Sequence, residues 1–268
     1  ARRGPARRCG DGAGAAEGLD AVSLALREGL RDFEAEVRKP DADINLTRAA
    51  ALLALHADPL LDLEQAVFGP LEQLERGFLS RVATLQSMAG DLSGAQRREA
   101  LASALCSYML HEGFAGCGRT SEAYYQAENS LLHRVLQRRT GIPISLAVVY
   151  RHVGLAGGLR LWGANFPGHF LLGFGSGAEA GLLDAFTGKC APCTEASALI
   201  SEIFGAPARL DPSWSTGPSL PNIVLLRRMV LNLQNVYGMQ ENISQSARLA
   251  QYAQVLDPLV AAATSPLG

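Results

Sequence analysis

The sequence lacks any apolar run long enough to cross a membrane. Its longest apolar stretches, such as residues 144–150, fall far short of the roughly 20 residues that a spanning helix needs. It also lacks an excess of charge of either sign, because 24 basic residues stand against 26 acidic ones and the net charge is −2. A balanced charge gives no attraction to nucleic acid or to anionic lipid. We therefore expect a soluble protein whose partners include neither nucleic acids nor membranes.

Cysteine is scarce as well. The chain of 268 residues holds five cysteines, which are too few and too scattered for a disulfide framework and indicate a reducing compartment. The one Cys-x-x-Cys pair lacks the second pair that would complete a zinc site, so we expect neither a metal nor another cofactor. The hydrophobic fraction, 48%, is ample for a sizeable buried core.

The first 18 residues differ in composition from the rest. They hold four arginines and only two acidic residues among many glycines and alanines. Such a segment is typical either of an organelle transit peptide or of a disordered tail. The expected location is accordingly a plastid or another organelle, or the cytoplasm.

Apolar periodicity predicts the fold class. Between residues 19 and 117, apolar residues recur every three or four positions, which predicts three or four amphipathic helices. From residue 118 to residue 190, short apolar stretches alternate with Gly and Pro. They predict two helical segments, 131–137 and 144–156, and three strands, 159–166, 170–174 and 182–186. We therefore expect an α+β fold with a small antiparallel sheet, all within residues 19–214.

The helical period returns after residue 194. It predicts a helix at 195–204 and a C-terminal pair at 223–237 and 244–256, the last ended by Asp257 and Pro258. Four residues of this pair fall at the offsets of the tetratricopeptide pattern, namely Leu233, Tyr237, Ala253 and Pro258. One such unit is too little for a solenoid, so residues 222–260 are expected to form a single tetratricopeptide-like helical hairpin.

Three segments of the middle region carry a specific resemblance. They are Tyr-Tyr-Gln-Ala-Glu-Asn-Ser at 124–130, Arg-Arg-Thr-Gly-Ile-Pro-Ile-Ser-Leu-Ala at 138–147, and Asn-Phe-Pro-Gly-His-Phe-Leu-Leu at 165–172. Together with Leu-Leu-Asp-Ala-Phe at 182–186, they resemble the SirB-type transglutaminase-like family over roughly residues 45–260. The resemblance implies a papain-like core, in which a helix carrying the nucleophile at its start packs on an antiparallel sheet carrying His and Asp. It also implies the C-terminal hairpin.

The sequence departs from the family at the nucleophile. The resemblance implies a Gly-x-Cys segment at the start of the helix, and alignment on Gly141 puts Pro143 at the cysteine position. Ser145, two residues further on, would need His169 as a base, because a helix dipole alone does not ionise a hydroxyl.

Ser145, His169 and Asp184 form a candidate degenerate triad. Pro143 suits the first turn of a helix, which places Ser145 near the positive end of the helix dipole. If residues 176–177 form a two-residue hairpin turn, His169 lies directly opposite Asp184, and the aspartate can fix the histidine tautomer. A longer loop would slide this register.

Each candidate residue also has a structural interpretation. Ser145 is a common helix-capping residue, and Asp184 is a common turn residue. His169 is compatible with a buried histidine bonded to the backbone or to Asp184. The motifs nominate four further residues as candidate binding residues, namely Asn129, Pro143, Asn165 and Phe166.

Three functions remain open. The sequence favours a degenerate, non-catalytic transglutaminase-like domain that binds a protein or peptide partner through the old cleft and the C-terminal hairpin. The alternative is a hydrolase or acyl transferase with Ser145 as nucleophile, His169 as base and Asp184 as orienting residue. A further alternative is thiol redox chemistry at Cys190 and Cys193, although the βαβ units that accompany such a motif are not predicted.

Overall fold

The computed structural model describes residues 11–88, 92–166, 169–216 and 220–265. These ranges contain ten α-helices and six β-strands, in keeping with the expected α+β class. The first ten residues of the predicted tail or transit peptide lie outside the described residues, and a helix begins at Asp11. No helix in the described ranges combines the length and apolar character that a bilayer crossing requires.

Four helices build the N-terminal part, as the periodicity predicts. Their bounds are α1 (Asp11–Val37), α2 (Leu46–Leu53), α3 (Gly69–Met88) and α4 (Gly94–His111). Asn45 caps α2, because its side chain accepts a hydrogen bond from the Arg48 backbone N–H at 3.0 Å. Ser93 and Gln96 form a reciprocal capping box at the start of α4.

A short parallel strand pair leads into the central helix. β1 (Ala115–Gly116) pairs with β2 (Thr140–Gly141), and the chain between them forms α5 (Ser121–Tyr124) and α6 (Leu132–Arg138). The central helix α7 (Pro143–Ala156) begins immediately after β2, with Pro143 at its first position, where the missing N–H has no cost. The two helices predicted for this region are confirmed.

A four-stranded antiparallel sheet follows α7. Its strands lie in chain order: β3 (Leu161–Phe166), β4 (His169–Phe174), β5 (Gly181–Asp184) and β6 (Lys189–Pro192). The prediction missed β6, because four residues of sequence Lys-Cys-Ala-Pro show no apolar alternation. The proposed two-residue turn at 176–177 is wrong, since residues 175–180 form a longer connection containing a 3₁₀ turn.

The two faces of the sheet pack against different helices. Phe170, Leu172 and Leu183 face the main core, which includes the buried side of α7. Leu171 and Leu182 lie at alternate positions and face a second cluster with α8 (Ala196–Phe204). The sheet therefore separates α7 from α8.

The C-terminal hairpin consists of α9 (Asn222–Met239) and α10 (Ile243–Thr264). The predicted end of the last helix at Pro258 is wrong, because α10 continues through Pro258 for six more residues, to Thr264. Val255, Leu259 and Val260 pack on the core and hold the helix there, despite the backbone hydrogen bond that proline removes. The hairpin shares the main core with α1, and the Phe33 and Tyr252 rings meet edge-on at 4.9 Å between centroids.

Candidate functional site

The sheet brings two of the three candidate triad residues together. The Nε2 atom of His169 lies 3.1 Å from Oδ1 of Asp184. Asp184 is fully buried, and the His169 side chain is 12% exposed. A buried carboxylate against one imidazole nitrogen can fix the tautomer and stabilise the imidazolium form.

The register explains why the pair survives the longer loop. β4 and β5 pair Leu172 with Leu183, which places Leu171 opposite Asp184 and puts His169 two residues away on the diagonal. The register has therefore moved by two residues from the proposed one. Because side chains alternate with a period of two, a shift of two keeps both residues on the same face of the sheet.

The Asp184 carboxylate is held by its own turn as well as by His169. Oδ1 accepts the Phe186 backbone N–H at 2.9 Å, and Oδ2 accepts the Thr187 hydroxyl at 2.8 Å. The Gly188 backbone N–H donates to the Asp184 carbonyl at 2.8 Å, which closes the turn between β5 and β6. These donors satisfy a buried charge that would otherwise be costly.

Aromatic rings flank the histidine. The ring centroids of Phe186 and Phe204 lie 6.2 and 6.4 Å from that of His169, both edge-on. Phe204, at the end of α8, is 43% exposed. The Arg119 guanidinium lies 5.8 Å from the centre of the Phe186 ring. We call the side chains of His169, Phe186 and Phe204 the aromatic surface.

Ser145 is placed elsewhere. It is fully buried in the first turn of α7, and its Oγ lies 2.5 Å from the Asn129 carbonyl oxygen and 3.1 Å from that of Ile142, within donating distance of both. A Cβ at Gly141 would lie 2.7 Å from this hydroxyl, so the glycine of the motif makes room for it. The hydroxyl therefore ties the helix start to the preceding loop.

Ser145 and the His169–Asp184 pair have different bonding partners among the described residues. The Ser145 hydroxyl bonds to the carbonyls of Asn129 and Ile142. His169 bonds to Asp184 and lies beside the rings of Phe186 and Phe204.

Asn129 organises the loop that precedes α7. Its Nδ2 donates to the carbonyls of Ala123 and Tyr124 at 2.7 and 3.1 Å, and its Oδ1 accepts from Arg138 at 3.3 Å. The Ile142 backbone N–H also donates to the Asn129 carbonyl, at 3.2 Å. The conspicuous motifs at 124–130 and 138–147 are thus joined to each other through one buried amide.

The remaining candidate binding residues are dispersed. Pro143 is buried at the start of α7, and Phe166 is half-buried in the cluster under α8. Asn165 pairs through its backbone with Phe170, while its side chain lies outside what the structure describes. Their roles in binding remain predictions.

Sequence reasoning missed a second group of reactive side chains. Cys106 of α4 and Cys190 of β6 line one cleft, and each is the largest influence on the pKa of the other. The buried Tyr150 hydroxyl, which has no hydrogen-bond partner in the described part of the chain, interacts electrostatically with Cys106 and Asp184. Burial, the largest cause, and these two groups raise the pKa of Tyr150. No pattern in the sequence links residues so far apart. Among the described residues, no cluster of three or more His, Cys, Asp or Glu could hold a metal ion.

The sequence profile of the transglutaminase-like superfamily matches residues 71–230, more than half of the chain. This range contains α7, the sheet, and the His169–Asp184 pair. The chain therefore belongs to the transglutaminase-like superfamily.

Similar proteins occur in animals and bacteria. F-box only protein 21 of Mus musculus and of Homo sapiens is 31% identical over 243 residues, which cover 82% of this chain and 36% of the relative. A UPF0162 protein of Xylella fastidiosa is 32% identical over 149 residues, which cover 54% of this chain and 52% of the relative. The chain thus spans only about a third to a half of these relatives. No solved structure matches it.

Proposed function

We propose that this chain is a non-catalytic transglutaminase-like domain that binds a protein or peptide partner at the aromatic surface. The observation that carries the proposal is the position of Ser145, fully buried with its hydroxyl bonded to two backbone carbonyls. The SirB-type assignment and the tetratricopeptide character of the hairpin rest on the motifs and belong to the same proposal.

The loss of catalysis follows from what nucleophilic attack requires. A serine becomes nucleophilic only when a base within hydrogen-bond reach takes its proton. The Ser145 proton is directed at backbone carbonyls, and His169 is bonded to Asp184. Pro143, at the position of the family cysteine, carries no nucleophilic atom.

The binding role rests on the chemistry of the aromatic surface. An exposed phenylalanine beside a partly open histidine is unusual on a free surface, and aromatic residues are enriched where proteins meet partners. Arg119 adds a positive charge beside Phe186. This combination suits a peptide that inserts an apolar side chain next to His169 and presents an acidic residue to Arg119.

The relatives are consistent with a binding module. This chain covers 36% of one relative, described as an F-box protein, and about half of another of quite different name. A domain found in proteins of such different lengths supports a role that combines with other segments.

One observation favours the alternative of a serine hydrolase or acyl transferase. The His169–Asp184 hydrogen bond is the arrangement that a catalytic base and its orienting residue need. In that mechanism the start of α7 would have to move so that Ser145 reaches His169.

Two measurements separate these functions. A fluorophosphonate probe should leave Ser145 unlabelled, whereas labelling that disappears in His169→Ala would establish the hydrolase and overturn our proposal. Peptides selected from a random display library on the full chain should lose at least about tenfold in affinity with Phe204→Ala. The matched control is Leu155→Ala, which removes another exposed apolar side chain, on α7. Peptides that bind Phe204→Ala as well as the unmodified chain would rule out the aromatic surface.

A further inference from the structure

Two cysteines distant in sequence meet where α4 crosses β6. Cys106 is buried, with 4% of its surface exposed, and Cys190 is half-buried. Both side chains line the wall of one cleft where the helix and the strand are in contact, and each thiol is the largest influence on the pKa of the other. Both are free thiols in this structure.

A cleft gives small molecules access to this pair. It has a volume of about 380 Å³ and opens between α4, β6 and the start of α8, with Cys106 and Cys190 in its wall. The rest of the lining is largely polar and includes Ser103, Ser107, Lys189, Glu195 and Glu202. A reagent that enters the cleft meets Cys190 first, because Cys190 is the less buried of the two thiols.

The proximity of the two thiols makes them unequal. The Cys106 side chain lowers the pKa of Cys190, against the opposing effects of burial and of Glu99. The Cys190 side chain, together with burial and the charge of Asp184, raises the pKa of Cys106. Cys190 is therefore the thiol that more readily becomes a thiolate, whereas Cys106 stays protonated.

We propose that Cys190 and Cys106 form a redox-active dithiol that reacts by thiol–disulfide exchange with a small-molecule disulfide in this cleft. The Cys190 thiolate attacks one sulfur of the small disulfide, whose S–S bond breaks and releases one thiolate. Cys106 then gives its proton to that leaving thiolate and attacks the Cys190 sulfur, which releases the second small thiolate to be protonated by solvent. The small disulfide is reduced to two thiols, and the protein gains a Cys106–Cys190 disulfide.

The structure favours Cys106 over Cys193 as the partner of Cys190. The Cys-x-x-Cys motif would pair Cys190 with Cys193, which follows Pro192 at the end of β6. The thiol that lines the same cleft as Cys190 and acts most strongly on it is instead Cys106, on α4. A disulfide forms only between side chains that already face each other at short range.

The charges around the cleft indicate which disulfide it admits. Glu195 and Glu202 line it, Glu99 acts on Cys190, and Lys189 is bonded to Glu202. The surroundings are therefore acidic on balance. A disulfide that carries amino groups, such as cystamine, should react faster than oxidised glutathione, which carries carboxylates.

The test follows the cysteines of the full reduced chain by mass spectrometry. The protein is exposed to cystamine or to oxidised glutathione at pH 7, quenched in acid, alkylated and digested. We expect a Cys106–Cys190 disulfide, formed at least about fivefold faster with cystamine. Cys193→Ser, the matched control, should leave both the product and its rate unchanged. Cys106→Ser, or Cys106→Ala if the serine variant does not fold, should stop at a mixed disulfide on Cys190.

Three results would overturn the proposal. One is a disulfide between Cys190 and Cys193 in the unmodified chain. Another is modification of Cys193 at the same rate as Cys190. The third is release of the mixed disulfide from Cys190 in the Cys106 variants as fast as in the unmodified chain. The disulfide pairing measured in the unmodified chain does not depend on whether any variant folds correctly.

Discussion

His169 and Asp184 are joined by a 3.1 Å hydrogen bond although they occupy diagonal, not opposite, positions on neighbouring strands. The aspartate carboxylate reaches back from its turn, where Phe186 and Thr187 already hold it. The bond uses Nε2 of the histidine and leaves Nδ1 as the ring nitrogen for other partners. A pair of this kind orients the imidazole whether or not a nucleophile stands beside it.

Asp184→Ala should destabilise the fold by about 3 kcal/mol, because it leaves three partly buried donors without their acceptor. Thr187→Val is the graded control, since it removes one of these hydrogen bonds and should cost about 1 kcal/mol. Urea denaturation of both variants gives the comparison. Equal losses of unfolding free energy in the two variants would mean that the carboxylate does not hold this turn together.

Ser145→Ala should cost about 1–2 kcal/mol of stability and leave peptide binding unchanged, because the hydroxyl ties α7 to the Asn129 loop. Ser87→Ala is the matched control. Ser87 makes the same kind of bond to a carbonyl three residues back, 2.8 Å to Thr84, but is exposed, so its loss should change stability by no more than about 0.5 kcal/mol. A loss of binding in Ser145→Ala without a loss of stability would contradict the structural role.

Tyr150→Phe should leave stability unchanged or raise it, because the buried hydroxyl has no hydrogen-bond partner in the described part of the chain. Tyr237→Phe should instead cost about 1 kcal/mol, since its hydroxyl bonds to Nε2 of His56 at 3.0 Å. Thermal and urea unfolding of the two variants measure the contrast. A clear loss in Tyr150→Phe would reveal a partner for its hydroxyl.

His56 should make the fold sensitive to mild acid. Burial lowers its pKa from 6.5 to about 4, so between these values the unfolded chain binds a proton that the folded chain does not. The stability from neutral His56 is therefore fully present above pH 6.5 and falls as the pH drops toward 4, by about 3 kcal/mol in all.

Urea denaturation at pH 7.5 and at pH 4.5 tests this dependence. His56→Gln should lower the free energy of unfolding at pH 7.5. It should also narrow the difference between the free energies of unfolding at pH 7.5 and pH 4.5. Tyr237→Phe keeps the histidine. It should lower the free energy of unfolding at both pH values while the difference between them stays wide. If His56→Gln and the unmodified chain lose the same free energy of unfolding between pH 7.5 and pH 4.5, the titration of other groups explains the acid sensitivity.

The sequence predicts the elements whose pattern is local. Helix α7 and helix α9 show long apolar periodicity, and both lie within two residues of their predicted bounds. Pro258 was a misleading stop signal, because packing of the residues around it outweighs one missing hydrogen bond. Local sequence rules also do not determine the length of the turn between β4 and β5, because Gly175 and Gly177 are compatible with more than one loop conformation.

The candidate site depended on contacts that no spacing encodes. The face shared by His169 and Asp184 follows from alternation, and it survived the wrong turn because the error was an even number of residues. One acceptor of the Ser145 hydroxyl is the carbonyl of Asn129, in a loop 16 residues earlier that also accepts the Ile142 backbone N–H. The thiol contact of Cys106 and Cys190 likewise exists only through the crossing of α4 and β6.

The edge-on contact of Phe33 with Tyr252 has a consequence for how the molecule opens. It joins the first long helix to the last, and both contribute to one core. Elements that share a core tend to exchange their amide protons as one cooperative unit. Amides in α1 and α10 should therefore gain and lose protection together, so that the hairpin detaches only when the N-terminal helices also come loose.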